Sequence, residues 1–125
     1  MIDQPVRILV VDDDTEQLSM LSRVLERKGF LVETVNSPFG VSNKARSFKP
    51  HIILLDVHIP ALSGDRLIGL IRKNTNLENT RMVLFSACDA DRLRNLALEV
   101  KADGWIQKTF NGHELTRQLL ALLNS

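Results

Sequence analysis

The sequence predicts a doubly wound α/β domain in which five parallel strands alternate with five helices, spanning residues 1–125 as one unit. Two observations carry that reading. Short apolar runs alternate with amphipathic stretches from one end of the chain to the other, the order of a sheet with helices on both faces. The runs also lack the in/out alternation of a half-wetted strand, which suits strands buried on both faces.

The elements follow in order. Ile8-Leu9-Val10-Val11 is the first strand. Leu18, Leu21, Val24 and Leu25 then recur at helical spacing, opened by Asp14-Thr15-Glu16 and stopped at Gly29. Asp14 is the expected cap, with Thr15 as its rival. Leu31-Val32 with Val35 is the second and weakest strand. A second helix over Val41, Ala45 and Phe48 is opened by Ser37-Pro38. Ile52-Ile53-Leu54-Leu55 is the third strand, and Leu67, Leu70 and Ile71 mark a third helix after Gly64-Asp65. Met82-Val83-Leu84-Phe85 is the fourth strand, followed by a fourth helix over Leu93, Leu96 and Val100 opened by Asp89 or Asp91. Trp105-Ile106 is the fifth strand. Leu115, Leu119, Leu122 and Leu123 form a last helix opened by Asn111. Right-handed crossovers and five strands suit the flavodoxin-like order 2-1-3-4-5, with the ligand site beyond the carboxyl ends of the strands.

Composition narrows the function. Hydrophobic residues make up 44% and charged residues 25%, ordinary globular values that exclude a disordered or collagen-like chain. A formal net charge of +1 gives no bulk attraction to nucleic acid or anionic membrane. Cys88 is the sole cysteine and cannot form an internal disulfide. No signal-peptide stretch opens the chain, and the longest apolar runs are far too short to span a bilayer. A cytoplasmic protein without membrane insertion or direct nucleic-acid contact is the expectation. His51 and His113 read as solvent-facing, and Arg92, Arg94 and Lys101 as a solvated or partner-facing patch.

The chemistry gathers at one sheet edge. The first strand ends in Asp12, Asp13 and Asp14, the third in Asp56, the fourth in Ser86 and the fifth near Lys108. The assumed strand order brings Asp12, Asp13 and Asp56 together, with Ser86 and Lys108 alongside. Two carboxylates about 4 Å apart near a protein surface repel by roughly 4 kcal/mol. A shared proton or a cation must relieve that, and hard oxygen ligands favour Mg²⁺ over a soft metal. A cation, an ammonium and a hydroxyl around one carboxylate suit a transferring phosphoryl group.

These residues resemble the receiver domain of two-component response regulators over essentially the whole chain. The likeness rests on Val10-Val11-Asp12-Asp13-Asp14, on the D-x-x-x-P-x-x-x-G run from Asp56 through Pro60 to Gly64, on Phe85-Ser86-Ala87 and on Lys108-Thr109-Phe110. The resemblance implies that Asp56 is the phosphoacceptor and that Asp13 is a direct Mg²⁺ ligand. Asp12 would act partly through water, and the backbone carbonyl of His58 would supply another ligand. Ser86 and Lys108 would hold phosphoryl oxygens. It further implies a sensor histidine kinase, phosphotransfer protein or acetyl phosphate as donor, and self-catalysed hydrolysis of the acyl phosphate. Ser86 and Trp105 would act as the switch, altering the face of the fourth helix, fifth strand and fifth helix for an output partner. Whether that face also forms a homodimer stays open.

The chain departs from the family pattern at two informative places. Thr109 stands where a proline, commonly cis, follows the lysine, so either a trans bond or a strained cis bond is expected; cis costs a non-proline residue about 2.5–4 kcal/mol. Trp105 replaces a smaller aromatic residue. His58 and Cys88 occupy positions that line water access to the phosphate. With no output domain read in the sequence, a stand-alone receiver and a module cut from a longer regulator or hybrid kinase both fit, as does a degenerate receiver with weakened switching. A haloacid-dehalogenase-like phosphatase fits Asp12-Asp13-Asp14 but leaves Asp56 idle. A flavodoxin-like FMN protein would need a phosphate cradle where three aspartates stand.

Overall fold

The computed structural model describes residues 4–56, 68–69, 72–73 and 79–124. Its strands are β1 (Arg7–Val11), β2 (Leu31–Val35), β3 (Ile52–Asp56), β4 (Arg81–Ser86) and β5 (Gly104–Gln107). Its helices are α1 (Thr15–Arg27), α2 (Val41–Phe48), α3 (Ala90–Val100) and α4 (Gly112–Leu123). The third helix expected from the sequence, at Leu67, Leu70 and Ile71, lies outside the described residues, although Ile68, Gly69, Arg72 and Lys73 around it are helical. The sheet runs β2-β1-β3-β4-β5 with every neighbouring pair parallel, the doubly wound order expected.

The two-residue period of a strand sorts the apolar runs onto two faces. Leu9, Val11, Ile53, Leu55, Met82 and Leu84 face α2 and α3, where Val41, Ala45, Leu93, Ala97 and Val100 meet them. Ile8, Val10, Ile52, Leu54, Val83, Phe85 and Ile106 face α1 and α4, where Leu18, Leu21, Leu25, Leu115 and Leu119 meet them. The three inner strands are therefore buried on both sides. Truncating one of their leucines to alanine removes about 2–5 kcal/mol. β2 departs from that description: Leu31 and Thr34 are exposed, because an edge strand has one neighbour and only part of a helix over it.

Local chemistry sets the boundaries. Asp14, not Thr15, caps α1, its Oδ1 accepting from the backbone N–H groups of Glu16 (3.0 Å) and Gln17 (3.2 Å). Asp89 caps α3 by accepting from Arg92 N, which leaves Asp91 in the first turn, paired with Arg94 at 3.1 Å. Asn111 caps α4. Ser37-Pro38 opens a short 3₁₀ turn, Pro38–Gly40, before α2 begins. Gly29 ends the α1 connection at φ +93°, a left-handed conformation that favours glycine. His51 corrects the solvent-facing reading: it is half-buried, and its Nδ1 accepts from Arg7 N at 2.9 Å, tying the start of β3 to β1.

Candidate functional site

The sheet delivers five chain segments to its carboxyl edge. The peptide N–H of Asp12 still bonds Val35 O (3.2 Å) and that of Lys108 still bonds Ser86 O (2.7 Å), so both residues are held as continuations of the ladder. Asp56 pairs with Phe85 in register, and Ser86 with Gln107. Alternation turns Asp56, Phe85 and Ile106 toward the α1 and α4 face, and Lys108 comes two residues after Ile106.

There the predicted residues converge. Carboxylate oxygens of Asp12, Asp13 and Asp56 lie within 4.8 Å of one another. Asp12 and Asp56 are buried, 4% and 7% exposed, while Asp13 is open to solvent. Lys108 Nζ stands 3.5 Å from Asp56 Oδ1 and 3.8 Å from Asp12 Oδ2, and 5.9 Å from the centre of the Phe85 ring. Ser86 is fully buried, and its Oγ accepts from Cys88 N at 3.2 Å.

The electrostatics follow from burial. Loss of hydration pushes the Asp12 carboxyl up to about 6, and the neighbouring Asp56 adds to the rise. The peptide N–H of Asp14, which donates to Asp12 Oδ1 at 3.0 Å, and the Lys108 ammonium pull it back down. The cluster is thus short of positive charge, and one ammonium does not balance it. All of its donors are hard carboxylate oxygens, and the solvent-facing Asp13 leaves one side open to a hydrated ion. That set fits Mg²⁺ and not a thiophilic metal.

Several expectations receive a place. The Lys108–Thr109 bond is trans. Trp105 is half-buried beside Leu84 and lines a cleft of about 540 Å³ between α3 and α4, together with Arg94, Leu98, Arg117 and Leu122. Cys88 is a half-buried free thiol. His58 lies outside the described residues.

Two residues at this edge carried no signal in the sequence. Gln17, in the first turn of α1, accepts from Lys108 Nζ at 2.8 Å. Gln107 Nε2 donates to Cys88 O at 3.0 Å, tying the segment after β4 to β5. A lone glutamine in a helix or strand is ordinary, and only the fold shows what stands opposite it.

Comparison with known proteins places this arrangement. Residues 8–120 match the family model described as response regulator receiver domain. A CpxR homolog of Haemophilus influenzae, a transcriptional regulatory protein, is 38% identical over 94% of this chain and 50% of its own length. The PhoP regulator of alkaline phosphatase synthesis in Bacillus subtilis is 32% identical over 94% of this chain and 48% of its own. The chain spans about half the length of these curated relatives. Among solved structures, the chemotaxis response regulator CheY4 of Vibrio cholerae superposes with a TM-score of 0.84 at 25% identity, covering 96% of this chain and all of that one. A signal receiver domain from Bermanella marisrubri gives 0.80 at 32% identity, covering 96% of this chain and 99% of that one.

Proposed function

Because the chain belongs to the family of response regulator receiver domains, we propose that it accepts a phosphoryl group on Asp56 and reports that event to a protein partner through the α3–β5–α4 face. The observation that carries the reading is the convergence of two further carboxylates and one ammonium on the buried Asp56.

In this reading an oxygen of Asp56 attacks the phosphorus of a phosphohistidine on a sensor histidine kinase or phosphotransfer protein, or of acetyl phosphate. The O–P bond forms as the bond to the donor breaks. A departing imidazole nitrogen takes up a proton. Lys108 presents its ammonium to the equatorial phosphoryl oxygens, where charge accumulates. Ser86 supplies a hydroxyl donor to another of those oxygens once it leaves its bond to Cys88 N. Asp13 would be the direct ligand for Mg²⁺ and Asp12 would act partly through water, in keeping with the exposure of the first and the burial of the second. Mg²⁺ bound there would neutralise carboxylate charge and stabilise the charge on the transferring group. Water later hydrolyses the acyl phosphate, which returns the domain to rest. Trp105 lines the cleft of the output face, where movement of Ser86 and its loop is felt. No helix among the described residues is long and apolar enough to cross a membrane.

The test is incubation with acetyl phosphate, with and without Mg²⁺, followed by intact mass for wild type and Asp56→Asn. Addition of one phosphoryl group that needs both Mg²⁺ and Asp56 is expected. No addition to the wild type, or equal addition to Asp56→Asn, sinks the reading.

A further inference from the structure

We propose that Gln17 is a positioning residue that holds the Lys108 ammonium out of direct hydrogen-bond contact with the neighbouring carboxylates until a phosphoryl group arrives. The inference rests on the phosphoacceptor reading for the second half of that statement, and on geometry for the first.

Lys108 Nζ has three hydrogens to place. Its contacts with Asp56 (3.5 Å) and Asp12 (3.8 Å) are longer than a charge-assisted hydrogen bond, normally about 2.7–2.9 Å. The contact with Gln17 Oε1, at 2.8 Å, falls within that range. The ammonium, only 14% exposed at the side chain, is therefore held by a neutral amide although two carboxylates stand nearby.

Gln17 is itself held. Its peptide N–H is clamped by Asp14 Oδ1 at 3.2 Å, and the peptide N–H of Asp14 binds Asp12 Oδ1 at 3.0 Å. One chain of hydrogen bonds thus joins the first-strand aspartates to the lysine across the sheet edge, and it fixes both the helix turn that carries Gln17 and the orientation of Asp12.

The chemical logic is a matter of charge. A cation pressed onto Asp12 and Asp56 competes with a divalent ion for the same oxygens. An amide oxygen satisfies the ammonium without adding a negative charge to a site that already has three. It also yields readily: a doubly charged phosphoryl group outbids a neutral amide for the ammonium. A carboxylate at position 17 would keep the lysine parked but would release it reluctantly.

Two variants of the full chain separate this role from packing. Gln17→Leu keeps size and net charge but removes the acceptor, so Lys108 closes on the carboxylates. Mg²⁺ affinity of the unphosphorylated protein, measured by titration calorimetry, should weaken about fivefold, equivalent to about 1 kcal/mol at 1.4 kcal/mol per tenfold. Gln17→Glu should bind Mg²⁺ at least as tightly as wild type but take the phosphoryl group about tenfold more slowly, because the ammonium is held by a charge. A structural role would move both measurements together in both variants. Unchanged Mg²⁺ affinity in Gln17→Leu, or the same pair of changes in both variants, overturns the proposal. The calorimetry needs no phosphoryl donor. A wild type that binds Mg²⁺ but is never phosphorylated therefore sinks the phosphoacceptor reading separately, while the affinity comparison still decides whether Gln17 parks the lysine.

Discussion

Lys108 Nζ lies 3.5 Å from Oδ1 of Asp56, although the two residues leave strands that are not neighbours: β4 runs between β3 and β5. The long lysine side chain crosses over Phe85 to make that approach, its Nζ 5.9 Å from the ring centre. The contact therefore depends on the packing of three neighbouring strands, and several outcomes follow from it and from the groups around it.

Lys108→Met should separate metal binding from phosphoryl transfer. Removing the single ammonium makes the cluster more negative, so Mg²⁺ should bind as tightly as in wild type or up to about tenfold more tightly, given how steeply charges a few ångströms apart interact in a partly dry site. Phosphorylation by acetyl phosphate should slow by at least about tenfold, because no cation meets the phosphoryl oxygens. Calorimetry for Mg²⁺ and intact mass against time for phosphorylation read the two effects; weaker Mg²⁺ binding would contradict the first.

Asp12 gives the metal-free protein an unusual pH dependence. Its carboxyl is pushed up to about 6 in the fold from an ordinary value of 3.8, so the folded state holds the proton more tightly than the unfolded chain. The stabilisation from that proton is complete below pH 3.8 and is lost as pH rises through about 6. Asp12→Asn should remove this loss and raise stability at pH 7 by about 1–2 kcal/mol, the raw shift being discounted for solvent screening. Urea unfolding in EDTA at pH 4.5 and pH 7 measures it. Excess Mg²⁺ should reverse the slope for wild type, since the ion binds the deprotonated site.

His51 contributes with the opposite sign. Burial, with the Arg7 charge second, lowers its pKa from 6.5, so the folded state holds this proton less tightly than the unfolded chain. Its stabilisation is fully present above pH 6.5 and falls as pH drops below that value. His51→Asn keeps an acceptor near the Arg7 N–H but cannot titrate. In an Asp12→Asn background, stability should fall between pH 7 and roughly pH 5.5 with His51 present, and this fall should be absent with asparagine there. Identical profiles would show that the histidine is not held as the structure places it.

Asp14→Ala should destabilise the domain by about 1 kcal/mol, because it leaves two peptide N–H groups of α1 without their cap. Thr15→Ala, one residue later, should cost only a few tenths of that. Thermal unfolding of the two variants decides which residue caps the helix in solution.

Much of this molecule is legible locally. Ile52 to Leu55 reads as a buried strand, since a short β-branched and leucine run without in/out alternation suits a strand covered on both faces. Asp89 and Asn111 announce their helices because a short side-chain acceptor before an apolar periodic stretch satisfies the first free N–H groups. The candidate site was legible for a related reason. Asp12, Asp13, Asp56, Ser86 and Lys108 all stand at strand ends, and in a parallel sheet all strand ends of one sense share an edge.

By itself, then, the sequence determined the strands and the charged and hydroxyl residues at their carboxyl ends, because each depends on neighbours a few positions away or on the sense of a strand. Only the tertiary structure decided that Asp12 is buried while Asp13 meets solvent, that His51 Nδ1 anchors Arg7, and that Gln17 rather than a carboxylate takes the shortest bond from Lys108. Those outcomes depend on which side chains from distant segments arrive beside one another, which hydrogen bonding and desolvation both require.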